Sequence, residues 1–229
     1  MREIIRFVEE IHILTANKGR LFRGPSDLLP INGIYVFFEA GQKILINSKE
    51  YNRIVRIGIN ERPNNFRSRI RGHYHGNIEG SVFRENVGWA LLESKGKRPM
   101  ERFRTKREYK KQNSSGPLEK EISDYFSKFL TFKAFQITYS KLEDYERIMI
   151  GAFSIYYQYK ILKKELDLSN WLGLYTYSQQ DKIKRSGLWN SEGVILLTET
   201  SLGDYSGYGF NSISEKFDAI LMDLTRNIT

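Results

Sequence analysis

Two apolar runs, Gly33-Ile34-Tyr35-Val36-Phe37-Phe38 and Ile54-Val55-Arg56-Ile57-Gly58, stand close together in the chain, with a turn and more extended chain between them that leave no room for a helical connection. Parallel strands need a crossover of a dozen or more residues, usually helical. Here the residues between the runs are a short polar turn, Ala40-Gly41-Gln42, and a further extended stretch over 43–47 that prolongs or pairs with the first run. The two runs are rich in β-branched and aromatic residues, which suit a pleated, half-buried surface. They are therefore expected to pair antiparallel, the second strand covering 53–59. Around them the apolar spacing is helical. Ile4, Phe7, Val8 and Ile11 form one stripe near the start, and Ile148, Ala152, Ile155, Tyr156 and Tyr159 form another on a helix expected over 144–162.

Further helices are expected over 66–73, from Ser81 as N-cap to about Gly96, from Pro117 to Leu130, and over 210–226. Strands are expected over 132–139 and 193–197. The class is α+β: a small antiparallel sheet flanked by helices, with helical extensions. Residues 1–29 are expected to form an N-terminal helical extension. Residues 30–229 form the main domain, carrying a charged insertion at about 97–116 that ends in Gln-Asn-Ser-Ser-Gly.

Charge is concentrated rather than spread. Of a net +9, the segment 61–112 supplies +8, with fourteen basic and six acidic residues in under a quarter of the chain. A localised cationic region is the electrostatic footprint of a polyanionic partner; a solvated basic face is the alternative. The candidates for contact with nucleic acid are Arg67, Arg71, Arg84, Lys97, Arg98, Arg104, Lys106 and Arg107, with Phe103 and Tyr109 interleaved as stacking platforms. Trp171 and Trp189, each beside a turn, are expected to cover the core. There is no cysteine, which excludes disulfides, thiolate metal sites and cysteine nucleophiles. No signal-peptide pattern opens the chain and no apolar run approaches the roughly 20 residues of a membrane span, so a cytoplasmic location is expected.

The densest chemistry lies in Arg67-Ser68-Arg69-Ile70-Arg71-Gly72-His73-Tyr74-His75, which holds two of the three histidines. On a helix Arg69 and His73, four apart, share a face. A guanidinium can grip phosphate oxygens in bidentate fashion, and an imidazole can move protons near neutral pH. Hydrolysis of a phosphodiester asks for those two functions plus an activated water and, usually, a carboxylate-held cation. A basic surface helix with incidental histidines is the alternative.

Gly33-Ile34-Tyr35, Arg56-Ile57-Gly58 and Arg69-x-x-x-His73, in that order, resemble the GIY-YIG nuclease superfamily, with Gly80 to Gly88 and the Trp-Leu-Gly and Ser-Gly-Leu-Trp-Asn segments adding to the likeness. The resemblance implies a three-stranded antiparallel sheet flanked by helices and an endonuclease that cuts DNA with one divalent cation, Mg2+ or Mn2+. It assigns Tyr35 to the proton from the attacking water, Arg69 to the scissile phosphate, His73 to the position one turn on, Glu146 to the metal and Asn190 to the family's late asparagine. Glu143 and Asn170 are the alternatives for the last two roles. The chain departs from the family at the second tyrosine, where Arg56 stands; a cation there can contact phosphate but cannot act as a phenol. A catalytically inactive DNA-binding module and an RNA nuclease are therefore the rival expectations. Monomer and homodimer are both compatible with the sequence.

Overall fold

The structure, a computed structural model, describes residues 2–95, 116–162 and 210–229. In chain order its elements are α1 (Arg2–Asn17), β1 (Gly33–Ile46), β2 (Lys49–Ile59), α2 (Phe66–His75), α3 (Val82–Ser94), α4 (Pro117–Phe129), β3 (Leu130–Gln136), α5 (Tyr139–Leu162) and α6 (Phe210–Arg226). The three strands form one antiparallel sheet in the order β2-β1-β3. The expected α+β class is the observed one.

The first strand lies in the middle because it is apolar on both sides. Residues 33–39 are all buried. Ile34, Val36 and Phe38 pack with α1, α5 and α6, while Tyr35 and Phe37 pack with α2, α3 and α4. Each helix brings its own stripe: Ile4, Phe7, Val8 and Ile11 from α1, and Leu118, Ile122, Tyr125 and Phe126 from α4. The helix expected to be an extension thus shares one core with the sheet, with Phe7 stacked on Phe217 of α6 at 4.2 Å between ring centroids.

Several boundaries differ from expectation; β2 begins at Lys49 rather than 53, and α5 at Tyr139 rather than 144. The turn expected at Ala40-Gly41-Gln42 is an irregularity inside β1, accommodated by a left-handed Gly41 (φ 81°) and a shift of register between Phe38 and Lys43. The reversal comes instead at Asn47 and Ser48, both at positive φ (50° and 63°), between the paired Ile46 and Lys49. Two successive left-handed residues give the turn whose twist matches that of the flanking strands. The strand expected over 132–139 begins at Leu130 and ends at Gln136, where its partner β1 begins at Gly33. Tyr139 already belongs to α5, and the Thr138 carbonyl accepts from the Lys141 amide (3.0 Å).

The outer edge of β3 is covered. Phe22 pairs with Phe132, and Ile228 pairs with Phe135. The Gln136 amide donates to Asn227 O (2.9 Å), the Thr229 amide to Ala134 O (3.1 Å), and the Arg20 amide to Thr229 O (2.8 Å). Among the described residues no helix is long and apolar enough to cross a membrane. The strand expected over 193–197, Trp171 and Trp189 lie outside the described residues.

Candidate active site

The site is assembled on the face of the sheet that meets α2. Tyr35 on β1 pairs with Gly58 on β2, and Phe37 pairs with Arg56. Paired residues point to the same face, so Tyr35 and Arg56 both project toward α2 and α3, Tyr35 passing over Gly58. A register shift between the Phe37 and Phe38 pairs leaves Val55 as the extra residue in β2. Such an extra residue re-aims the side chains on either side of it. Gly58 is required by its neighbour: a Cβ there would sit 2.3 Å from Tyr35 Oη and 2.4 Å from Cζ. The phenol crosses the strand directly over this glycine.

The link from β2 to α2 is held by an asparagine clamp. The Gly33 amide donates to Asn60 Oδ1 (2.9 Å), Asn60 Nδ2 donates to Asn32 Oδ1 (2.8 Å), and Asn32 Oδ1 also accepts from the Asn64 amide (2.7 Å). Asn64 is left-handed (φ 57°), a conformation that Asn tolerates better than most residues. The clamp fixes where α2 starts. The helix then places Arg69 and His73 on its inner face, as the four-residue spacing predicts, and leaves Arg67, Arg71 and His75 exposed.

Tyr35 Oη and His73 Nε2 are hydrogen-bonded at 2.8 Å, with the rings edge to face at 5.3 Å. His73 Nδ1 is in turn 2.8 Å from Ser81 Oγ. Burial, reinforced by repulsion from Arg69, Arg56 and Arg84, holds the His73 pKa well below its ordinary value. The imidazole is therefore neutral near pH 7. Burial raises the Tyr35 pKa, against the pull of Arg56 and Arg69.

Arg69 and Arg56 face an open cleft of about 530 Å³ also lined by Glu61, Glu143, Glu146 and Tyr139. Arg69 Nη2 is 3.0 Å from Glu61 Oε1, and its buried Nε has no hydrogen-bond partner. Arg56 lies over the Phe83 ring at 5.8 Å. Burial raises the Glu146 pKa. The nearby Arg56 and Arg69 and a hydrogen bond from the Ile59 backbone pull it down, and Glu61 pushes it up. Of the two sequence candidates for the carboxylate, Glu143 is exposed and Glu146 is the one turned in among the arginines.

The donor set fits a hard cation. Mg2+ keeps several waters and uses one or two carboxylates, and the cleft offers oxygen donors and room for water. Among the described residues there is no cluster of three or more His, Cys, Asp or Glu side chains of the kind that would enclose an ion completely. Glu146, with Glu61 across the cleft, could hold such a cation.

One expected nucleic-acid contact is overturned. Arg84 is fully buried. Its Nη1 donates to His73 O (2.9 Å) and Tyr74 O (3.3 Å) at the end of α2; its Nη2 donates to Glu119 Oε2 (2.6 Å) and Ser123 Oγ (2.9 Å) on α4. It is a brace behind His73. Arg67 is exposed but also ties the preceding loop, donating to Asp27 O (2.5 Å) and Leu29 O (3.1 Å). Asn190, Asn170, Lys97, Arg98, Arg104, Lys106 and Arg107 lie outside the described residues. Sequence reasoning missed Ser81 as a partner of His73, Glu61 as a partner of Arg69, and the asparagine clamp. Only the capping pattern at Ser81 carried a signal, and it pointed to a helix start.

A search of curated proteins and a search of solved structures each return no significant match. The model of one protein family, described as a GIY-YIG domain, matches residues 3–203. That span holds the tyrosine of β1, the Arg56-Ile57-Gly58 end of β2 and the arginine-histidine face of α2, and with it the chain belongs to the GIY-YIG domain family, whose members are generally endonucleases.

Proposed function

We propose that the protein is a metal-dependent endonuclease that hydrolyses DNA phosphodiester bonds. The observation that carries this reading is the convergence of a phenol, two guanidiniums and a carboxylate from four separate elements around the end of β2. Tyr35, hydrogen-bonded to His73, takes the proton from the attacking water. Arg69 has a buried donor at Nε to offer a phosphate oxygen, and on substrate binding its Nη2 exchanges Glu61 for phosphate. Arg56 occupies the position of the family's second tyrosine and offsets negative charge developing on phosphorus. Glu146 holds Mg2+ or Mn2+, which supplies Lewis-acid polarisation of the phosphate when bound. Arg67 and Arg71, exposed on the outer side of α2, contact the DNA backbone, and Asn190 and the basic stretch 97–116 are proposed to add to the site.

Plasmid nicking in the presence of Mg2+ tests the assignment. Glu146→Ala is expected to slow nicking by at least about 10²-fold; a variant that cuts at the wild-type rate overturns it. Arg56 favours a second reading, a DNA-binding module that has lost catalysis, because the site then lacks its second phenol. Both readings give salt-sensitive binding, so cation-dependent cleavage separates them. Labelled DNA and RNA of one sequence, compared side by side, decide the substrate.

A further inference from the structure

His73 sits between two hydroxyls, and the hydrogens do not divide evenly. Ser81 Oγ is 2.8 Å from Nδ1, and Tyr35 Oη is 2.8 Å from Nε2. All three groups are buried. A neutral imidazole brings one N–H and each hydroxyl brings one O–H. That makes three hydrogens for two hydrogen bonds, so one hydroxyl hydrogen must point elsewhere.

The surroundings decide which one. Among the described residues, the only other hydrogen-bond partner of Ser81 Oγ is the Arg84 amide at 3.3 Å, itself a donor. If Ser81 accepted from Nδ1–H as well, its own hydrogen would be buried without an acceptor, and an unmade buried hydrogen bond is expensive. Tyr35 is the hydroxyl nearer the cleft: its neighbours Arg56 and Arg69 line that opening, whereas Ser81 is enclosed between His73 of α2 and the first turn of α3.

We propose that Ser81 is a positioning residue that sets the tautomer of His73: the seryl hydroxyl donates to Nδ1, so the ring's one N–H is at Nε2 and donates to Tyr35 Oη. This deepens the nuclease reading and rests on it for its catalytic consequence. His73 is then a hydrogen-bond donor to the tyrosine oxygen. Burial keeps Tyr35 a protonated phenol in the free protein; it gives its proton to a water entering from the cleft, and the phenolate left behind is held by Nε2–H and flanked by Arg69. That phenolate takes a proton from the attacking water as the new P–O bond forms and the bond to the leaving oxygen breaks. His73 neither gains nor loses a proton. Arg84 supports the arrangement twice over, through its amide on Ser81 Oγ and its guanidinium on the His73 carbonyl.

The test is long-range 1H–15N correlation on the full chain labelled with 15N-histidine, with His73 signals assigned by their absence in His73→Gln. Wild type at neutral pH is expected to carry its proton at Nε2; a ring protonated at Nδ1 overturns the proposal. Ser81→Ala should move the proton to Nδ1, and Ser81→Thr, which keeps a hydroxyl, should hold it at Nε2. An unchanged Nε2–H in Ser81→Ala also overturns it. Ser81→Ala removes the α3 N-cap as well, so the wild-type spectrum, which needs no substitution, is the primary arm. In plasmid nicking, Ser81→Ala is expected to fall at least about tenfold, with recovery in Ser81→Thr; misplaced tautomers and outer-shell losses have effects of this size or larger. A wild-type protein that shows the Nε2–H tautomer and cuts nothing would overturn the nuclease reading while leaving the assignment of Ser81 in place.

Discussion

Tyr35 is held from three directions: edge-on by Phe37 and Phe66, end-on by His73, and from below by the bare backbone of Gly58. Its two parts are separable by substitution. Tyr35→Phe keeps the ring and removes the oxygen, so nicking is expected to fall by about 10²–10⁴-fold, the range for loss of a positioned acid or base. Unfolding free energy in urea should drop by only about 1–2 kcal/mol, for one buried hydrogen bond. Gly58→Ala does the reverse. It keeps every functional group but forces the ring off the strand, and should destabilise by about 1–3 kcal/mol, as overpacking does, with loss of nicking because Oη leaves His73. Gly58→Ala with wild-type stability and activity would show that the phenol does not need its present path.

At the scale of elements, α2, α3 and α4 meet around the Arg84 guanidinium, which answers the carbonyls at the end of one helix and a carboxylate on another. Removing one partner of a buried pair strands the other. Glu119→Ala is therefore expected to destabilise by about 3 kcal/mol or more in urea unfolding, and to lower nicking through His73, which Arg84 braces. How far such features can be read from the chain differs by type. The β1–β2 strands, the α2 face and the Ser81 cap follow from local spacing, and so do Arg69 and His73, whose four-residue separation fixes their common face; Tyr35 is singled out by the family resemblance, because its strand is buried on both faces and alternation does not set it apart. Arg84 could not be placed that way. In sequence it is a basic residue in a basic region; its burial depends on Glu119, thirty-five residues later. The hairpin reversal was misplaced for a related reason: Gly41 signals a turn, yet a left-handed glycine also suits an irregular strand, and pairing of 43–46 with 49–52 decided between them.

The whole molecule should respond to acid through its buried histidines. His12, enclosed among Val8, Ile54 and Tyr157, has its pKa lowered by burial to about 4 from 6.5. Below pH 6.5 the unfolded chain takes up a proton that the folded chain refuses until about pH 4. Stability from this group is thus complete above pH 6.5 and is lost as pH falls toward 4, by on the order of 3 kcal/mol. His73 acts in the same sense, whereas the raised carboxyls of Glu39 and Glu146 act in the opposite one. Comparison with His12→Gln isolates the first effect: the variant should lose about 2 kcal/mol less between pH 7 and pH 5 in urea unfolding. Binding to duplex DNA should weaken steeply with salt, and Arg71→Ala should reduce the log–log slope by about 0.9 if that side chain neutralises one phosphate. A further consequence belongs to the covered edge of β3. A three-stranded sheet has two open sides, and an unoccupied row of amides and carbonyls is a template for another chain. Here the stretch 227–229 occupies that row, and Ile228 seals it against Gly19. Ile228→Asp is expected to lift the seal, so that apparent mass in light scattering climbs more steeply with concentration than it does for the wild type, as copies pair through the uncovered strand.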